Sequence, residues 1–326
     1  MNTPRVKSYP ERLVSWIPLP YWLSLLLIWE LLFAVDYALS QGLDSATRHT
    51  AEFGCLILFF AFVCIGIVYC CKVLSRLYND LPIFVDHDPN ELFGWYEQKL
   101  KQSYAGAWPL VFGACFAGAE FMSAGQSIRQ FTPDDSTLFF FRAFYELIGF
   151  FFLGVGLWAL INVLLLPISL TNFRIRVSVN QVSGRGLQAL GYAYFKMSLA
   201  ITITFAPLIA AAVLSPLLAD LSVLIWLGFG TAAIFGFFLF PQIGIHRIMT
   251  SEKQHRLISF SNHLEEALDR SLKEPTSENM QRLKELFELQ AYLKEMHEWP
   301  FNVNTLWQLI TALLIPVALA ILEIFF

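Results

Sequence analysis

The run from His246 to Pro300, HRIMTSEKQHRLISFSNHLEEALDRSLKEPTSENMQRLKELFELQAYLKEMHEWP, decides the architecture, because it is too charged to lie in lipid and too regular to be a loose linker. Leu257, Ser261, Leu264, Leu268 and Leu272 recur at steps of three or four residues, and Leu283, Leu286, Gln290, Leu293 and His297 do the same, which is the seam of a coiled coil. Glu274-Pro275-Thr276-Ser277 separates the two arms: proline stops the first helix, and Thr276 or Ser277 caps the second. The spacing predicts an antiparallel helical hairpin projecting roughly 35 Å at about 1.5 Å per residue. Apolar runs on both sides place its root at a membrane. Such an element serves either as a stalk or as a surface for a partner or ligand.

Working outward, composition agrees with a membrane setting. Hydrophobic residues make up 56% of the 326, only 15% are charged, and 31 are Phe, which excludes an ordinary soluble domain. The net charge of −4 is too mild to argue for or against nucleic acid by itself. Cys55, Cys64, Cys70, Cys71 and Cys115 lie in expected spans without metal-ligand spacing and read as core residues, with Cys70-Cys71 a candidate for acylation. Ala38-Leu39-Ser40 mimics a signal cleavage site, but the preceding apolar stretch is long and carries Glu30 and Asp36, so an uncleaved anchor is expected.

The sequence predicts an all-α polytopic membrane protein with about seven transmembrane helices plus a cytoplasmic antiparallel coiled-coil hairpin. Residues 1–79 hold an N-terminal segment and spans one and two, from about Leu19 to Leu39 and Phe53 to Leu74. Residues 80–105 form a cytoplasmic amphipathic helix opened by Asp88-Pro89-Asn90-Glu91, with Leu92, Phe93, Tyr96, Leu100 and Tyr104 on one side, lying on the membrane or on the hairpin. Asp86-His87-Asp88 resembles a metal site only superficially, since neighbours in an extended chain point apart and Asp88 is the cap. Residues 106–171 carry span three, strewn with small residues from Gly113 to Ala124, an outer loop from Gln126 to Ser136, and a long span four from Leu138 to Leu170 with Pro167 near its end. Residues 172–196 are a basic arm and glycine turn, in which Phe173 to Val179 alternates as a short strand would. Residues 197–246 hold spans five and six around Ser215-Pro216 and Asp220, with Gly228, Ala232 and Gly236 as a small-residue stripe. The hairpin fills 247–300, and 301–326 is span seven.

Lysine and arginine orient this arrangement. An N terminus inside leaves only Arg48 and Arg129 outside and Arg142 within span four, with every other Lys and Arg cytoplasmic. The expected location is the bacterial inner membrane.

Two constellations carry candidate chemistry. In the outer half of the bilayer, Asp36, Glu120, Arg142, Glu146 and Glu323 share one layer, with Glu30 about 9 Å deeper at 1.5 Å per residue. Arg142 and Glu146, one helical turn apart, are expected to pair, which leaves Asp36, Glu120 and Glu323 as surplus acids. Surplus carboxylates at a pore mouth concentrate cations; the structural alternative is a salt-bridge network between spans. On the cytoplasmic side, Arg174, Arg176 and Arg185 converge with the Ser183-Gly184-Arg185-Gly186 turn and suit phosphate oxygens, although the spacing is not that of a Walker A loop and plain topology accounts for them as well. His-Glu-x-x-His and Gly-x-Ser-x-Gly do not occur, so neither catalysis nor a cofactor is expected.

Val182-Ser183-Gly184-Arg185-Gly186-Leu187, Phe240-Pro241-Gln242-Ile243-Gly244-Ile245-His246, the hairpin, and Glu298-Trp299-Pro300-Phe301 resemble segments of a loose group of prokaryotic multi-pass membrane proteins, over about the C-terminal half. Within that group the chain is similar to HalB-type effectors of the Hailong anti-phage system. The resemblance implies an oligomeric ion channel held shut by a nucleic-acid ligand. The expected function is therefore an oligomeric, ligand-gated ion-conducting effector with a cytoplasmic nucleotide or single-stranded nucleic acid as ligand. The alternatives are a membrane scaffold or sensor that recruits a cytoplasmic protein through the hairpin, and a transporter or intramembrane enzyme.

Overall fold

The computed structural model describes residues 6–40, 50–85, 88–131, 136–170, 173, 185–214, 221–295, 307 and 311. The helices, numbered in chain order, are α1 (Tyr9–Val14), α2 (Tyr21–Ser40), α3 (Thr50–Leu77), α4 (Leu81–Phe84), α5 (Pro89–Tyr104), α6 (Ala107–Phe131), α7 (Ser136–Leu170), α8 (Arg185–Leu214), α9 (Leu221–Lys273) and α10 (Ser277–Glu295). No strand occurs among the described residues, and the stretch expected to alternate lies outside them apart from Phe173. Five segments are long and apolar enough to cross a membrane: Tyr21–Ser40, Phe53–Leu77, Pro89–Met122, Thr137–Leu170 and Ala189–Leu208. With no water in hydrocarbon to satisfy exposed amides, a helix meets every backbone group within its own segment, and so suits sequences of this kind. The segment expected as span seven falls outside the described residues except for Trp307 and Thr311, both helical.

α3 is the hub. It packs against α2, α7 and α8, and its Ile57, Phe60, Ala61, Cys64, Val68, Cys71 and Leu74 are almost wholly buried. α6 flanks α7 on another side, and α9 packs on α8 and α7. The α6–α7 contact is close because two glycines meet there: a Cβ at Gly113 would stand 2.8 Å from the Phe151 carbonyl oxygen, and one at Gly154 would stand 2.9 Å from the Gly113 Cα. The rest of the small-residue run on α6 divides. Ala117 faces inward, whereas Ala114, Cys115, Gly118 and Ala119 are exposed.

The two ends of the bundle differ. At one end the N-terminal segment tucks beneath the helices: Tyr9 donates to the carbonyls of Ala105 and Gly106 at 3.1 and 2.8 Å, and Lys72 meets Glu11 at 3.3 Å while lying 3.9 Å from the Tyr21 ring centroid. The Cys71 thiol is buried against the Val6 carbonyl, which leaves it no exposure for acylation. α5 seals the same end. Asp88 caps it by accepting from the Asn90 amide at 3.1 Å, with Pro89 in the first turn, as expected. Its buried stripe of Leu92, Tyr96, Leu100 and Tyr104 covers the ends of α3, α6 and α7. Tyr96 donates to the Leu74 carbonyl at 2.9 Å, and Trp158 donates to that of Gln102 at 3.1 Å. At the opposite end, α6 stays helical through Phe131, so much of the expected loop from Gln126 is instead an added helical turn.

α9 is 53 residues long and runs without a break from its apolar beginning into the charged stretch, with Pro241 inside it. The chain then turns at 274–276 and α10 packs back on α9. Thr276, not Ser277, is the cap: its hydroxyl accepts from the Asn279 amide at 3.3 Å, and the Asn279 side chain donates to the Glu274 carbonyl at 2.9 Å.

The close approach at Gly113 is open to a direct test. Gly113→Ala should lower the thermal stability of the detergent-purified protein by about 1–3 kcal/mol, the usual cost of overpacking. Gly94→Ala, on the exposed side of α5 where nothing lies within 4 Å, should not lower it.

Candidate functional site

An arginine keeps its proton in proteins, so one that is wholly buried needs an anion beside it. Arg142 on α7 is wholly buried, and so is Asp36 on α2. The guanidinium grips the carboxylate with two parallel bonds, Nε to Oδ1 at 2.8 Å and Nη2 to Oδ2 at 3.0 Å. The Phe53 ring at the start of α3 covers the guanidinium, with its centroid 4.0 Å from Cζ. Phe53 also meets Tyr145 edge-on, at 6.2 Å between centroids. Three helices thus converge on one charge pair at the end of the bundle away from the N-terminal segment.

This corrects the pairing read from the sequence. The partner of Arg142 is Asp36, not Glu146, because the bidentate grip uses both Nε and Nη2 and leaves only Nη1 over, which has no hydrogen-bond partner among the described residues. Glu146 is buried one turn along α7 without an ion pair among the described residues. Asp36 is accordingly not a surplus acid, and it does not face an open vestibule. Phe53 was not legible as a site residue; the signal was its position at the head of an expected span, level with Asp36 and Arg142.

The remaining expected acids are scattered. Glu120 is half-buried on α6, and Glu323 lies outside the described residues. Glu30 is exposed, without an ion-pair partner among the described residues, and sits at the middle of α2 between the exposed Leu27, Ile28 and Leu31. Of the three basic-arm arginines, Arg174 and Arg176 lie outside the described residues, and Arg185 is the first residue of α8.

A second polar seam joins α8 to its neighbours. Tyr194 donates to the Val163 carbonyl of α7 at 2.6 Å, and the buried Gln242 of α9 donates to the Gly191 carbonyl at 3.1 Å. Pro167 lies against Gly244, where an added Cβ would stand 3.7 Å away.

Comparison with protein-family models, curated proteins and solved structures finds no match to this chain.

The charge pair is tested by a double-mutant cycle. Asp36→Asn should destabilise the protein by about 3–5 kcal/mol, since it strands a buried guanidinium. Replacing both groups, Asp36→Leu with Arg142→Met, should cost less than Asp36→Asn alone, as read by thermal unfolding in detergent.

Proposed function

We propose that the protein is an oligomeric membrane effector that conducts ions under the control of a cytoplasmic ligand. The observation that carries this reading is Glu30, exposed midway along α2 on a face that is otherwise apolar. A carboxylate at the bilayer centre costs on the order of 2.5–3.5 kcal/mol even on insertion scales, so the face bearing it belongs against water or protein and not lipid. Assembly of several copies around that face supplies both. The exposed small residues of α6 give a second surface on which copies approach closely.

In this reading the first half of α9 and the segment 301–326 complete seven spans, the charged stretch is a cytoplasmic coiled-coil hairpin, and the N terminus lies inside. The polar path runs past Glu30, while Asp36 and Arg142 hold the helices around it. Arg174, Arg176 and Arg185 receive a phosphate-bearing ligand at the start of α8, where helix amides and arginine forks favour anions. The resemblance to HalB-type effectors supports a nucleic-acid ligand and a role in anti-phage defence. The scaffold reading draws on the exposed apolar residues of α9 and α10, for which a second copy of this chain is a sufficient occupant.

Reconstituted in planar bilayers, the wild-type protein should pass cations, and Glu30→Gln should lower that conductance or shift selectivity toward anions while assembly persists. A wild type that never conducts, or a variant that conducts unchanged, contradicts the reading. For the ligand, replacing Arg174, Arg176 and Arg185 by Gln should weaken binding of a single-stranded oligonucleotide. Its salt response should flatten too, the slope of log affinity against log salt falling in magnitude by about 0.7 for each phosphate no longer neutralised. Filter binding across salt concentrations decides it; equal binding by both proteins reduces these arginines to topology determinants.

A further inference from the structure

The contact between α9 and α10 uses only part of the seam that the sequence suggests. On α9 the face toward α10 passes through Leu264, Ala267 and the buried Ser271; Leu268 and Leu272 are instead 41% and 74% exposed. On α10 the facing residues are Leu283, Leu286, Gln290 and the buried Leu293, as expected. Each of these positions is followed, one residue on, by a member of a second stripe. On α9 that stripe is Ile258, Ser261, Glu265, Leu268 and Leu272; on α10 it is Met280, Lys284, Phe287, Ala291 and Lys294. Both keep the alternating three- and four-residue step of a helix-packing seam. Apart from the half-buried Ser261, both are open: Ile258 is 66% exposed, Met280 57% and Phe287 49%.

The two stripes share one side of the helix pair. A step of one residue turns about 100° around a helix, and because α9 and α10 run in opposite directions, the same turn from their common contact carries both stripes to the same face. An apolar stripe of this kind on an element too charged for lipid is a contact surface awaiting an occupant. The α9 stripe carries one charge, Glu265 at its middle, and the α10 stripe carries two of the opposite sign, Lys284 near its start and Lys294 at its end. Glu265 and Lys284 also agree in level. The Ser271 hydroxyl donates to the Asn279 carbonyl at 3.2 Å, which sets residue 271 beside 279 and therefore 265 beside 285, one position from Lys284.

We propose that this face binds the same face of a second copy of the chain, forming an antiparallel four-helix bundle in which Glu265 of each copy pairs with Lys284 of the other. Copies inserted in one membrane share an orientation, so a two-fold axis relating them lies along the membrane normal. Because α9 continues unbroken from its apolar half into this region, the helix pair is carried along with that normal. Rotation about such an axis lays α9 over α10 of the second copy at the same level, which is the arrangement that sets Glu265 opposite Lys284 twice. The apolar stripes then interlock, and the Glu265–Lys284 pairs fix the register, as polar positions do in helical bundles. This interface deepens the assembly that conduction requires, and mass, not current, reads it, so its failure leaves the Glu30 experiment standing.

The test uses the full-length chain in detergent, with mass photometry over a range of concentrations and thermal unfolding to establish that each variant is folded. Wild type should associate. Glu265→Lys and Lys284→Glu should each weaken association about tenfold or more, in line with the coupling of close interfacial charge pairs. An equal mixture of the two single variants should recover it, because each then supplies the charge that the other needs. The double variant, with both reversals in one chain, should recover it too. Wild type that remains a single copy, single variants that associate like wild type, or recovery by the double variant without recovery by the mixture would each overturn the proposal, the last by placing the pair within one copy.

Discussion

A guanidinium that cannot shed its proton, placed where water cannot reach it, constrains this bundle more than any other group. Arg142 is satisfied only where α2 brings Asp36 to it, and its flat face is covered only where α3 begins at Phe53. The pair therefore ties the late part of α2, the first turn of α3 and the early part of α7 to one level. With those ends fixed together, the chain must alternate in direction from α2 to α3, and α6 must return toward the same level before α7 can start. The other end of the bundle is then free to collect what α2 starts from and α3 runs into: the N-terminal segment, α5, and Lys72 with Glu11. Buried ion pairs contribute little net stability compared with apolar packing of equal volume, so the value of this one is in specifying which helices meet.

The same physics separates the groups that hold the bundle from those available for function. Asp36 is committed on both oxygens, while Glu30, six residues earlier on the same helix, has no ion-pair partner among the described residues. One acid is structural and the other requires a polar environment from outside the single chain. Movement in the charged part of α9 would pass directly to the bundle, because the helix is continuous across that boundary and is anchored to α8 through Gln242 and to α7 where Gly244 meets Pro167. A rigid element of this kind is what a ligand or an assembling partner needs to act on spans some distance away.

The sequence made much of this legible wherever the cause was local. The Asp88 cap with its following proline, the stripe of α5, the stop at Pro275 and the long apolar helices all follow from neighbouring residues, and all are present. What failed was what depends on distant partners. Glu146 is one turn from Arg142 and so was the local choice, but Asp36, 106 residues away, approaches from another helix and takes Nε and Nη2. The leucines from Leu257 to Leu272 look like one seam because a small drift in phase is invisible in a leucine-rich helix; Ala267 and Ser271, which pack inward, carry no apolar signal strong enough to mark the turn of the face. The small residues of α6 announced close packing correctly at Gly113, but could not say that only one edge of the run would be used within the chain.

In the proposed arrangement the basic arm, the paired helices and the N-terminal segment share the side of the membrane to which α9 delivers its charged half. Accessibility of a single cysteine at position 277, at the tip between α9 and α10, measures that side directly. With Ser277→Cys in a background where the native cysteines are replaced, a membrane-impermeant thiol reagent should leave intact cells unlabelled and label the protein after permeabilisation. Labelling of intact cells would place the tip outside and contradict the arrangement.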